Sequence, residues 1–149
     1  MFDRVHHLTF VVRDLEEAVL RYQRDLGIQS IERESVPHRG VLTARFWVGN
    51  LWFVLVQPIS RGAPLEHLRE HGEGLLLVSF QVQSLDAALA EVAARGLTTR
   101  GQHRTGVGGW RVVDLDTPAI SGAVTQLCEV QSQSELPTNS AGGKHFNNT

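Results

Sequence analysis

The chain has a single cysteine, Cys128, which excludes an internal disulfide and a CxxC metal site. It has no basic block or stripe: 14 Lys and Arg stand against 16 acidic residues, for a net charge of −2, so the footprint of a nucleic-acid-binding protein is missing. No apolar run approaches the ~20 residues that span a bilayer. The opening MFDRVHHL lacks the apolar core of a signal peptide. These absences leave a cytoplasmic protein without nucleic-acid or membrane partners as the expectation.

At 149 residues with 42% hydrophobic content, the chain is long enough for one domain with a proper core, or two small modules sharing one. A strand pattern runs over 5–12. Asp14 then reads as an N-cap, with Glu17 completing a capping box. Leu15, Ala18, Val19, Tyr22 and Leu26 recur at helical spacing, and Gly27 fits a helix stop. Strands are predicted over 29–36, 41–48 and 51–57, the last two joined by Gly49-Asn50 as a hairpin turn. PISRGAPLEHLREHGEG, rich in turn formers with one short helical pattern, reads as a linker.

The pattern then starts again. A shift of 70 pairs Phe10 with Phe80, Val12 with Val82, Leu15 with Leu85 and Ala18 with Ala88. A second helix is predicted over 84–95, capped by Ser84, with strands over 97–101, 110–115 and 123–130. A shift of 72 pairs Leu55 with Leu127 and Gln57 with Glu129. The organisation is a first βαβββ module over 1–58, a linker over 59–73, a second module over 74–130 and a polar, mobile tail over 131–149.

The stretches VHHLTFVVRDLEEAVLRYQRDLGI, GEGLLLVSFQVQSLDAALAEVAARGL, GVGGWRVVDL and GAVTQLCE carry a resemblance over about residues 4–130. This tandem repeat resembles the vicinal oxygen chelate superfamily (glyoxalase I, extradiol dioxygenases, antibiotic-resistance proteins), and within it the methylmalonyl-CoA epimerases. The resemblance implies an α+β fold in which tandem βαβββ modules form a curved mixed sheet around a central cavity, and a homodimer. It also implies one divalent metal, held by a His on each module's first strand and a Glu or Gln on each module's last. Carried over by position, those ligands fall on His7, Leu77, Val54 and Gln126. The epimerases' catalytic glutamate falls on Thr43. Val54 and Leu77 cannot donate to a cation that needs about four to six donors, so only His7 and Gln126 remain, as a weak divalent site at most. His6 and His38 are possible substitute ligands, although strand alternation sends His6 to the face opposite His7.

The same alternation places Leu8, Phe10 and Val12 on the helix face and Val5, His7, Thr9 and Val11 on the cavity face. It also turns Thr43, Arg45, Trp47, Trp52, Val54, Leu77, Ser79, Trp110, Asp114, Gln126 and Cys128 inward. An apolar, aromatic wall with a few convergent polar groups suits a small-molecule site. Each residue has a plainer reading as well. His7 can bond a backbone carbonyl, Arg45 can pair with a surface carboxylate, Asp114 can be a turn residue, Cys128 a small buried hydrophobe and the tryptophans core filler. GVGG at 106–109 precedes a strand rather than a helix, so it is no phosphate loop but a flexible approach to the cavity.

The expected function is a metal-independent enzyme that isomerises, epimerises or cyclises an aromatic or polyketide-like small molecule, with no cofactor. His7 would be the general base or acid, and Arg45 and Gln126 the donors to an enolate oxygen. Thr9, Thr43, Trp47, Trp52, Val54, Leu77, Ser79, Trp110 and Asp114 would bind the substrate. Two alternatives stay open: a non-catalytic drug- or metabolite-binding resistance protein, and a metal-dependent epimerase or lyase with substituted ligands.

Overall fold

The computed structural model describes residues 1–118 and 120–131. Beyond Gln131, the tail expected over 131–149 lies outside the described residues. Eight strands form one curved mixed sheet. In chain order the elements are β1 (Arg4–Val11), α1 (Leu15–Leu26), β2 (Glu32–Val36), β3 (Val41–Val48), β4 (Leu51–Pro58), α2 (Ala63–His71), β5 (Gly74–Gln81), α3 (Leu85–Ala94), β6 (Thr98–Thr105), β7 (Arg111–Asp116) and β8 (Val124–Glu129). The sheet order is β2-β3-β4-β1-β5-β8-β7-β6, so the two βαβββ units meet where β1 pairs antiparallel with β5. Among the described residues no helix is long and apolar enough to cross a membrane.

The repeat is exact in register as well as in order. Within the first unit β1 runs parallel to β4, with His7 opposite Trp52 and Thr9 opposite Val54. Within the second, β5 runs parallel to β8, with Leu77 opposite Val124 and Ser79 opposite Gln126. The repeat-related helices α1 and α3 start alike. Asp14 Oδ1 accepts from Glu17 N at 3.0 Å, and Ser84 Oγ from Ala87 N at 3.2 Å. The 72-residue partners Gln57 and Glu129 each accept the first helical N–H of their unit, from Leu15 at 2.8 Å and Leu85 at 2.7 Å. Two orphan donors at the starts of α1 and α3 are therefore met by side chains of the same unit.

Alternation divides the apolar residues between two faces of the sheet. On the helix face, α1 covers a cluster including Val19, Phe46 and Leu55, while α3 covers one including Val92, Val113 and Leu127. A third cluster fills the concave face, with Trp52, Val54, Leu77, Trp110 and Cys128 among its members. Gly49 takes φ 61°, which fits the first central position of a type II′ hairpin turn between β3 and β4. The segment read as a linker contains α2, whose Pro64 is buried and whose Leu68 packs on the concave cluster. It covers the concavity rather than merely joining the units.

Two irregularities in the central pairing of β1 with β5 shape the concave face. Val5 pairs with Phe80 and His7 with Ser79, so one residue of β1, His6, is extra. Thr9 pairs with Leu77 and Phe10 with Leu75, so Leu76 is extra on β5. These bulges sit at positions related by the 70-residue shift. Each places two successive residues on the concave side, His6 with His7 and Leu76 with Leu77. The expectation that His6 faces away from His7 is corrected by the structure: alternation fails wherever a bulge intervenes.

Candidate functional site

The concave face holds a cavity of about 60 Å³. His7, Thr9, Val54, Leu77, Trp110 and Gln126 line it, all of them expected from the sequence. The two units therefore bring the four repeat-related ligand positions (His7, Val54, Leu77 and Gln126) around one space. Arg39 and Arg104, which no sequence pattern singled out, line it too, together with Gly106 and Val107. Val36, Val41, Val56 and Leu76 supply further hydrocarbon.

The remaining predicted residues sit around this cavity without lining it. Arg45 lies between two indoles, its guanidinium carbon 5.0 Å from the ring centres of both Trp52 and Trp110. Its Nε and Nη2 donate to Glu32 Oε2 at 3.1 and 2.8 Å. The pairing with a surface carboxylate is thus the geometry seen, because Glu32 and Arg45 are directly opposite on β2 and β3. Trp47 meets Trp52 edge-on at 5.0 Å, and Trp52 lies 6.1 Å from Trp110. Thr43 is buried and donates to Glu34 O at 2.9 Å. Ser79 is buried, and its hydroxyl has no hydrogen bond. His38 is exposed in the turn after β2.

Glycine at 108 serves contact rather than flexibility. Gly108 has φ 64°, and a Cβ there would overlap Arg45 Nη1. Its N–H donates to Glu34 Oε2 at 2.9 Å. The turn at Val107–Gly109 therefore closes over the Arg45 stack, while Gly106 and Val107 present their other side to the cavity.

The polar centre is a chain of side chains on β6, β7, β8 and β1. Arg104 Nη2 lies 3.2 Å from Asp114 Oδ2, and Gln126 Nε2 donates to Asp114 Oδ1 at 2.9 Å. The buried Gln126 interacts in turn with His7, and His7 Nδ1 is 2.8 Å from His6 Nδ1. Two imidazole nitrogens at that distance need one proton between them, so at least one ring is neutral. Burial, with Arg4 and Arg45 nearby, lowers the His6 pKa to about 4. Burial also pushes His7 well below its ordinary value, helped by His6 and Arg45 and partly opposed by Gln126. Both rings are therefore neutral at pH 7. Trp110 holds them in place, stacked on His7 at 4.7 Å and edge-on to His6 at 4.5 Å.

The divalent metal implied by the resemblance does not fit the four repeat-related positions, because Val54 and Leu77 offer it only hydrocarbon. Another set of donors lies beside them. One ring nitrogen each of His6 and His7 and the Sγ of Cys128 fall within 4.8 Å of one another, all three residues buried. Two nitrogens ~2.0–2.1 Å from a tetrahedral zinc would stand ~3.3 Å apart. At 2.8 Å, His6 and His7 have the spacing of a hydrogen bond instead.

The sequence signal for His6 was the doubling itself. His6-His7 and Leu76-Leu77 are like pairs at repeat-related positions, whereas a regular strand with one buried face alternates. Arg39 and Arg104 carried no such signal, since each lies in a polar stretch where arginine is unremarkable.

Residues 6–113 match the Glyoxalase/Bleomycin resistance protein/Dioxygenase superfamily. The human mitochondrial methylmalonyl-CoA epimerase is 24% identical over 127 residues, covering 83% of this chain and 72% of that one. An uncharacterised protein of Bacillus subtilis is 23% identical over 129 residues, covering 85% of this chain and 92% of its own. Among solved structures, a Streptomyces coelicolor methylmalonyl-CoA epimerase variant in complex with 2-nitronate-propionyl-CoA superimposes with a TM-score of 0.81 at 23% identity. That match covers 89% of this chain and all of that one. The Mycobacterium tuberculosis methylmalonyl-CoA epimerase gives 0.79 at 21% identity, over 86% of this chain and 88% of that one.

Proposed function

Because the chain belongs to the glyoxalase/bleomycin resistance protein/dioxygenase superfamily, we propose that it is an isomerase- or epimerase-type enzyme. In this reading it works without a metal at the four repeat-related positions. One observation carries the reading: of the described side chains lining the cavity, only His7 can accept a proton at neutral pH, and its contacts with His6 and the Trp110 ring hold it in place. Gln126 Nε2 donates one N–H to Asp114 Oδ1, and its buried Oε1 makes no hydrogen bond. In this reading His7 donates its Nδ1–H to His6 Nδ1, which leaves Nε2 as the base, while Asp114 holds Gln126 in place beside it. Arg45, engaged by Glu32 and two indoles, anchors the wall.

The substrate in this reading is smaller than the aromatic or polyketide-like molecule that three tryptophans suggest. The indoles fill the concavity and leave about 60 Å³, room for four to six waters at ~10–15 Å³ each. With Thr43 at the glutamate position of the epimerases, proton transfer at the α-carbon of methylmalonyl-CoA is not the proposed reaction.

A binding protein is the second reading, favoured by the low basicity of His7, since a weak base is a poor proton abstractor. The His7→Gln variant separates the two. An enzyme loses turnover and keeps affinity to within a few fold. Unchanged turnover of an identified substrate by His7→Gln rules out the base role.

A further inference from the structure

The cavity carries a charge that its walls do not balance. Arg39, in the turn after β2, and Arg104, on β6, approach it from different units of the chain. Arg104 has a counter-ion in Asp114, with Nη2 at 3.2 and 3.4 Å from the two carboxylate oxygens. Asp114 is shared further with Gln126. Arg39 makes no hydrogen bond or ion pair among the described residues, although it is half-buried. The histidine on the wall is neutral and the rest is mainly hydrocarbon. Two guanidinium groups and one carboxylate leave one positive charge uncompensated.

A charge withdrawn from water costs free energy unless it is paired. Burial, then the nearby Arg104, holds the Arg39 pKa below its ordinary value, with Asp114 opposing. Arginine nonetheless stays charged at neutral pH. An anion entering the cavity would supply that partner.

We propose that the cavity binds a small organic carboxylate, received by the planar fork of Arg39, with its carbon skeleton against Val54, Val56 and Leu77. This rests on the reading that the cavity is the functional site. One surplus positive charge matches a monoanion better than a phosphate dianion, and the volume suits a headgroup of a few carbons. The guanidinium geometry favours a carboxylate held by two parallel hydrogen bonds. The same anion, placed beside His7, raises the pKa of that imidazole and restores basicity that burial removes.

The test is equilibrium binding to the full chain, followed by tryptophan fluorescence because Trp110 lines the cavity. Propionate, propionamide and inorganic phosphate are the probes. Propionate should bind, at least tenfold more tightly than propionamide or phosphate. Arg39→Gln should weaken propionate tenfold or more, while Arg69→Gln, on the exposed part of α2, should leave it unchanged. Melting curves identify any variant that fails to fold, and Arg39→Lys then replaces it, keeping charge and losing the fork, with a smaller loss expected. Equal binding of acid and amide, tighter binding of phosphate, no propionate binding at all, or unaltered binding by folded Arg39 variants would each overturn the proposal. Turnover takes no part in this assay. Propionate binding without any catalysis leaves the carboxylate site standing and removes the isomerase reading. Turnover of an uncharged substrate that Arg39→Gln does not affect does the reverse.

Discussion

Acid should unfold this protein through its paired histidines well before its carboxylates titrate. In the folded chain His6 protonates only near pH 4, against 6.5 when solvated, because burial and the neighbouring Arg4 and Arg45 disfavour the imidazolium. As pH falls below 6.5, the unfolded chain takes up a proton that the folded chain refuses, so stability is present above pH 6.5 and is lost on the way down to pH 4. The lowering from 6.5 to about 4 corresponds to about 3 kcal/mol in full, of which about 2 kcal/mol is lost between pH 7 and 4.5. His7, also lowered, adds a loss of the same sign. For a domain stable by roughly 5–15 kcal/mol this is a large fraction. Urea denaturation followed by tryptophan fluorescence at pH 7, 6, 5 and 4.5 measures it, with the His6→Gln/His7→Gln double variant as the comparison. The wild type should lose at least about 2 kcal/mol over that range, and the double variant should show a much flatter dependence. Equal slopes, or two buried imidazoles titrating near pH 6.5 in ¹H–¹⁵N spectra, would refute the reasoning.

Gly108→Ala places a Cβ against Arg45 Nη1 at a φ of 64°, so it should cost about 1–3 kcal/mol, read from denaturation midpoints. His6→Gln and His7→Gln should now both perturb the site, since the bulge turns both rings inward; a silent His6→Gln in ligand binding and folding alike would argue against the bulge. Exhaustively dialysed protein should carry well under one equivalent of divalent metal, because Val54 and Leu77 replace two donors. Stoichiometric zinc or copper by elemental analysis, abolished in Cys128→Ser, would point instead to the His6, His7 and Cys128 cluster.

Much of the frame was legible in the sequence because its signals are local and doubled. Capping residues at Asp14 and Ser84, the helix stop at Gly27 and the 70- and 72-residue shifts each reappear as a backbone contact or register. The superfamily likeness then placed His7, Val54, Leu77 and Gln126 around one cavity. Reading failed where two-residue alternation was carried through a bulge, which reversed His6. Distance along the chain hides the identity of partners: Glu32 is the carboxylate that pairs with Arg45, in keeping with the plainer of its two readings, and Asp114 takes one N–H of Gln126. Arg39 was invisible for a different reason. Its significance lies in a missing counter-ion, and an absence of that kind exists only once the neighbours are in place.

The most direct test of the account is proton exchange in D₂O on metal-free protein, followed by ¹H NMR of small oxo acids whose α-carbon protons are enolisable. Wild-type protein treated with EDTA should wash deuterium into a bound acid faster than buffer does, and His7→Gln should abolish the acceleration while the acid still binds. Acceleration that disappears on chelation, or that survives in His7→Gln, would contradict a metal-independent site built around His7.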